Sequence, residues 1–174
     1  MNFEEQLAAC IHGVVAIMGI GNPLRGDDAA GSFVARSVRQ TPNACVIDAQ
    51  DVPEDYLSLV VDHHPDTVVL IDSVDLHSAP GSVALLNTDQ MAGYWPSTHR
   101  VPLRVLMNYL EQETDARMFL VAIQPGHTAF LKPLSEEVSA SVARIAAMLN
   151  QALERPRDIT PGEFTGSRNR EVPA

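Results

Sequence analysis

The sequence predicts a single doubly wound α/β domain, with a mostly parallel five-stranded sheet, one antiparallel edge strand and helices on both faces. Three observations predict it. Short, almost wholly apolar runs recur at 14–18, 44–48, 67–72, 82–86 and 118–123. Segments with apolar residues at helical spacing stand between most of them, and Gly or Pro marks many of the junctions. Strands alternating with helices imply right-handed crossover units, and runs apolar throughout mark strands covered on both faces.

The elements follow in order. Residues up to about His12 form a short helix with Phe3, Leu7 and Ile11 on one side. Val14–Met18 is the first strand, feeding a tight loop, Gly19-Ile20-Gly21-Asn22-Pro23. A helix with Ala30, Phe33, Val34 and Val38 follows, with Asp27 placed to cap it through its carboxylate. Ala44–Asp48 is the second strand. Pro53 opens a helix carrying Tyr56, Leu59 and Val60, since Pro suits a first helical turn. Thr67–Asp72 is the third strand, rich in β-branched residues.

After Asp72 the rhythm changes. Ala79-Pro80-Gly81 is a turn, and Ser82–Leu86 is a strand reached without a helix, so it lies antiparallel at an edge. A polar stretch runs from about Asn87 to Arg100. Pro102 starts a helix with Leu103, Leu106, Met107 and Leu110 on one face. Met118–Ile123 is the last strand, stopped by Gln124-Pro125-Gly126. Ser135 caps a final helix with Val138, Val142, Ile145 and Leu149 inward. Residues 1–155 read as one domain and 156–174 as a flexible tail without periodicity.

Composition narrows the function. The chain has 174 residues, 45% hydrophobic and 20% charged, which is enough for a core without staples. Its net charge of −10 and lack of a basic stripe argue against a nucleic-acid partner. Cys10 and Cys45 form no CxxC pair and fit reduced thiols in a reducing compartment. The N-terminus carries Glu4 and Glu5 and no basic region, and no apolar run approaches a bilayer span. A cytoplasmic protein with no membrane insertion is expected.

Ligands of open α/β sheets bind beyond the carboxyl ends of the strands. There the sequence places Asn22, Asp27 and Asp28 after the first strand, Asp48 after the second, Asp72 after the third and Gln124 after the fifth. Carboxylates crowded on one edge need a metal, a Lys or Arg, or shared protons. Ser97-Thr98-His99 ends the polar loop, whose far end can return to that edge. Asp28, Asp72 and His99 together make a two-carboxylate, one-imidazole set for one divalent ion, with coordination positions left open for chemistry. The plainer roles are helix capping for Asp27 and Asp28, a solvated strand end for Asp72 and a surface loop for His99. His63-His64 fits a solvated helix end. The run G-I-G-N-P-L-R-G lacks G-x-G-x-x-G spacing and a P-loop Lys, and its acids would repel phosphate. Neither G-x-S-x-G nor H-E-x-x-H occurs.

Residues 19–31, GIGNPLRGDDAAG, resemble the opening motif of the nickel–iron hydrogenase maturation endopeptidases. Leu70-Ile71-Asp72-Ser73-Val74 resembles that family's second acidic motif. Ala79-Pro80-Gly81, Thr98–Leu103 and Ile123-Gln124-Pro125 follow in the family's order, the last two as in the branch that processes the formate-hydrogenlyase-type large subunit. The likeness spans roughly residues 14–150; Ala29 stands where many members have Gly. It implies Asp28, Asp72 and His99 as metal ligands. It further implies an endopeptidase that removes the C-terminal extension of a hydrogenase large-subunit precursor after nickel insertion, so the nickel would come with the substrate. Other divalent cations could substitute in vitro. Asp28 is the candidate proton acceptor, and Asn22, Asp48 and Gln124 are candidate substrate contacts. A binding module that inspects a nickel-loaded partner without cutting it is the main competing reading.

Overall fold

The structure, a computed structural model, describes residues 2–91 and 102–154. Its sheet has the order β2-β1-β3-β5-β4, formed by β1 (Val15–Ile20), β2 (Ala44–Gln50), β3 (Thr67–Ser73), β4 (Val83–Asn87) and β5 (Arg117–Ile123). The first four strands in that order run parallel, and β4 pairs antiparallel with β5 at the edge. The expected architecture is therefore the one observed.

The helices are α1 (Phe3–Cys10), α2 (Ala30–Ser37), α3 (Leu57–Asp62), α4 (Leu103–Glu113) and α5 (Glu136–Glu154). Strand alternation sorts the core into two layers. Val15 and Ile17 of β1, Val69 and Ile71 of β3, and Val121 and Ile123 of β5 meet Leu7 of α1, Val34 of α2 and Val142, Ile145 and Leu149 of α5. On the other face, Met18, Ile20, Leu70 and Leu120 meet Val60 of α3 and Leu103, Leu106, Met107 and Leu110 of α4. Every residue of β1 is buried, as its unbroken apolar run requires. Each such Leu or Ile contributes about 1.5–3 kcal/mol by leaving water.

Local chemistry sets the ends. Asn2 caps α1 in a reciprocal box: its Oδ1 accepts from Glu5 N, and its own N–H donates to Glu5 Oε2, both at 2.9 Å. Asn150 of α5 secures the end of α2, accepting from Arg39 N at 2.9 Å and donating to Ser37 O at 3.1 Å.

Three expectations are corrected. Asp27 does not cap α2; it lies wholly buried within a 3-10 turn, Gly26–Ala29, that precedes the helix. Leu59 is largely exposed, because the Pro53 segment opens as a 3-10 turn to Tyr56 before α3, and this sets Val60 inward. β2 runs two residues past its expected end at Asp48, to Gln50, so Asp48 lies within the strand and not at its carboxyl end. Both cysteines are free, as expected, and burial raises their thiol pKa values. No described helix is long and apolar enough to cross a membrane. His99 and the 156–174 tail lie outside the described residues.

Candidate functional site

The strand order itself marks a crevice. From β1 the chain passes through α2 to β2 on one side; from β2 it passes through α3 back to β3 on the other. The connections leaving β1 and entering β3 thus diverge between these two neighbours, and ligands bind at such switch points, at the carboxyl ends of the strands. Asp28 follows β1 in the 3-10 turn, and Asp72 is the penultimate residue of β3.

Glycines bring these two segments together. Gly31 of α2 lies so close to the strand ends that an added Cβ would stand 2.1 Å from Ile71 O and 2.3 Å from Ile20 O. Gly21, at φ +139°, turns the chain out of β1 directly beneath the Asp28 carbonyl, where a Cβ would sit 1.8 Å from that oxygen. The turn bearing Asp28 therefore packs on the edge where β3 delivers Asp72. The two carboxylates are buried, with exposures of 7% and 4%.

The adjacent acids Asp27 and Asp28 have separate lives. Asp27 Oδ2 accepts from Gly126 N at 2.8 Å, His127 N at 3.1 Å and Ser135 Oγ at 2.8 Å, and Oδ1 accepts from Ser135 N at 2.6 Å. Burial by itself would raise its pKa, but these hydrogen bonds outweigh it and hold the carboxyl below its ordinary value. Asp27 N also donates to His127 O at 2.9 Å, so the turn is stitched to the loop after β5. Asp28 receives one hydrogen bond among the described residues, from Asn22 N to Oδ2 at 3.1 Å. A buried carboxylate with acceptor capacity left over suits a cation. Asp72 Oδ1 takes the Ser73 N–H at 2.7 Å.

Asn22 faces this turn. Its Oδ1 accepts from Leu24 N at 2.9 Å, and its Nδ2 donates to Asp51 Oδ2 at 3.1 Å. Asp48 is engaged by α2, accepting from Ser32 Oγ and from Arg36 Nε, each at 2.6 Å. Gln124 is buried at the end of β5, and its Oε1 accepts from Leu76 N at 2.5 Å and Ser78 N at 3.3 Å. A hydrogen bond joins Asn22 to Asp28 after β1, Asp72 lies near the end of the adjoining strand β3, and Asp48 and Gln124 bond to groups of α2 and the 76–78 loop. Among the described residues, no three His, Cys, Asp or Glu side chains form a ready metal site.

Sequence reasoning missed Asp51 as the partner of Asn22 and Ser135 as the partner of Asp27. Nothing in the sequence ties Ser135 to a residue 108 positions earlier.

The family model for hydrogenase maturation proteases matches residues 32–152. The chain belongs to the hydrogenase maturation protease family. It is 30% identical over 150 residues to a Methanocaldococcus jannaschii protein assigned as a hydrogenase maturation protease, covering 80% of this chain and 88% of that one. It is 27% identical to the hydrogenase 3 maturation protease of Escherichia coli, covering 74% of this chain and 84% of the relative. The crystal structure of the nickel–iron hydrogenase maturation protease HycI from Thermococcus kodakarensis superposes with a TM-score of 0.80 at 29% identity, over 86% of this chain and 99% of that one. As a hydrogenase maturation protease the chain is a peptidase, and the crevice at the β1–β3 switch point is its candidate active site.

Proposed function

We propose that this protease removes the C-terminal extension of a nickel–iron hydrogenase large-subunit precursor once nickel is in place. The observation that supports the reading is the burial of two carboxylates, Asp28 and Asp72, on separate segments that follow or end the neighbouring strands β1 and β3 at the switch point of the sheet. Relatives bearing the names hydrogenase maturation protease and hydrogenase 3 maturation protease support it.

In this reading Asp28, Asp72 and His99 ligate the nickel that the precursor presents. Carboxylate and imidazole donors suit a borderline divalent ion, and another divalent cation can take its place in vitro. Nickel held there fixes the peptide beside the protease, and orientation alone lowers the barrier substantially. Asp28 accepts the proton of the attacking water. Asn22 shapes the turn that presents Asp28, and Asp48 borders the path of the peptide. The reaction takes place in the cytoplasm, where free Cys10 and Cys45 stay reduced.

The test is direct. The protein is incubated with nickel-loaded and nickel-free precursor, and the products are weighed by mass spectrometry. Loss of a C-terminal fragment from the nickel-loaded sample alone is expected. No loss from either sample overturns the reading.

A further inference from the structure

The Gln124 side chain is bonded in a way that substrate contact does not explain. A primary amide offers an acceptor oxygen and two N–H donors. Oε1 accepts from both Leu76 N and Ser78 N, and Nε2 donates to Pro125 O at 3.0 Å. Within the loop itself, Asp75 Oδ1 accepts from His77 N at 3.0 Å, which holds the Asp75 carboxyl below its ordinary value. One buried side chain thus holds the 76–78 loop through its carbonyl oxygen while its amide is anchored to Pro125.

That loop is the direct continuation of Asp72. β3 and β5 stay in register through Asp72–Ala122 and Ser73–Ile123, and Val74 N donates to Ile123 O at 2.9 Å. The next contacts along the chain are those of Gln124. Gln124 is itself held at both backbone positions, its N–H donating to Ser82 O at 2.8 Å and its carbonyl accepting from Gly81 N at 2.9 Å. Because Asp72 Oδ1 takes the N–H of Ser73, the orientation of its carboxylate is tied to the backbone leaving the strand. Holding residues 74–78 restrains the strand end to which that carboxylate is bonded.

We infer that Gln124 is a positioning residue for Asp72: it acts through the 74–78 loop to hold the Asp72 carboxylate ready for the precursor's nickel. The inference rests on the reading of Asp72 as a nickel ligand. Partners that orient a ligand in this way are typically worth about 10–100-fold in affinity or activity.

The experiment measures binding and cleavage together, with nickel-loaded and nickel-free large-subunit precursor as probes. Wild type is expected to bind the nickel-loaded form more tightly. Gln124→Leu is expected to lose about tenfold or more of that nickel-dependent increment. It should keep wild-type affinity for the nickel-free form. Gln124→Glu has nearly the same volume and still accepts from Leu76 and Ser78, but loses the donor toward Pro125 O. It guards against a misfolded Leu variant and should show the same selective loss to a smaller degree. Equal weakening toward both precursors, or wild-type cleavage by Gln124→Leu, overturns the inference. Wild type that distinguishes the two precursors yet cuts neither overturns the protease reading and leaves the inference about Gln124 standing.

Discussion

Ser135 gives both its amide and its hydroxyl to the carboxylate of Asp27, at 2.6 and 2.8 Å, across 108 positions of sequence. Gly126 and His127 add two more N–H donors. A wholly buried carboxylate is tolerable only when so matched. The cluster clamps the turn carrying Asp28 to the loop after β5, so Asp27 serves the site by holding its neighbour still.

Asp27→Asn should therefore cost about 2–4 kcal/mol at neutral pH, because the new amide turns N–H groups toward existing donors. The pH dependence has a definite sign. The folded pKa of Asp27 is lowered, so its contribution is complete above the unfolded value, about 3.9, and is lost as pH falls through the folded one. Urea titrations from pH 7 down to pH 2 should show the variant less stable at the top and flatter at the bottom. Parallel curves for the two proteins would contradict the clamp.

Gly31→Ala tests the approach of α2 to the sheet. The new methyl would meet backbone carbonyls of Ile71 and Ile20 at 2.1 and 2.3 Å, and neither can swing aside as a side chain can. The helix must lift, at a cost of about 3 kcal/mol or more. Thermal melts should fall by many degrees, and a melt within a degree of wild type would count against the packing.

These two positions show where the sequence is legible and where it is not. Leu103, Leu106, Met107 and Leu110 announce their helix and its buried face because spacing alone encodes both. The apolar runs of β1 and β3 announce a sheet covered on two sides for the same reason. The crevice follows from the alternation of strands and helices, so the sheet edge that carries Asp28 and Asp72 can be written down without coordinates. The separation of Asp27 from Asp28 cannot, since adjacent identical residues differ only in partners supplied by distant loops. The end of β2 is misjudged by two residues for a plainer reason: the apolar run stops at Asp48 and polar Gln50 gives no strand signal, although β2 continues to it.

If Asp72 and His99 ligate the precursor's nickel as proposed, Asp72→Asn and His99→Ala should each remove the cut. Asn keeps the volume of Asp72 and an acceptor for Ser73 N, so the fold should hold while the ligand charge is gone. Processing of nickel-loaded precursor should drop by about 100-fold or more, with the melting temperature within a few degrees of wild type, since an isosteric change avoids cavities and overpacking. Mass spectrometry of the products beside a thermal melt reads both quantities. Wild-type processing by either variant would remove that residue from the ligand set.

Two truncations locate the end of the domain. Removing 156–174 takes away none of the buried residues of α5, the last of which are Ala152 and Leu153. It also leaves the ion pair of Arg39 with Glu154, at 2.8 Å and exposed, which is worth at most about 1 kcal/mol. That form should melt within about 2 °C of the full chain, a shift equivalent to at most about 0.5–1 kcal/mol. Ending the chain at Leu149 is different in kind. It deletes Ala152 and Leu153 from the core, and with Asn150 the two hydrogen bonds that secure the end of α2. Burial and the lost hydrogen bonds together should cost about 3 kcal/mol or more. Because α2 carries Gly31 against Ile71, loosening its far end should also slow cleavage of the precursor at temperatures well below the melt. If the two truncations behave alike, α5 does not end the domain where its buried face ends.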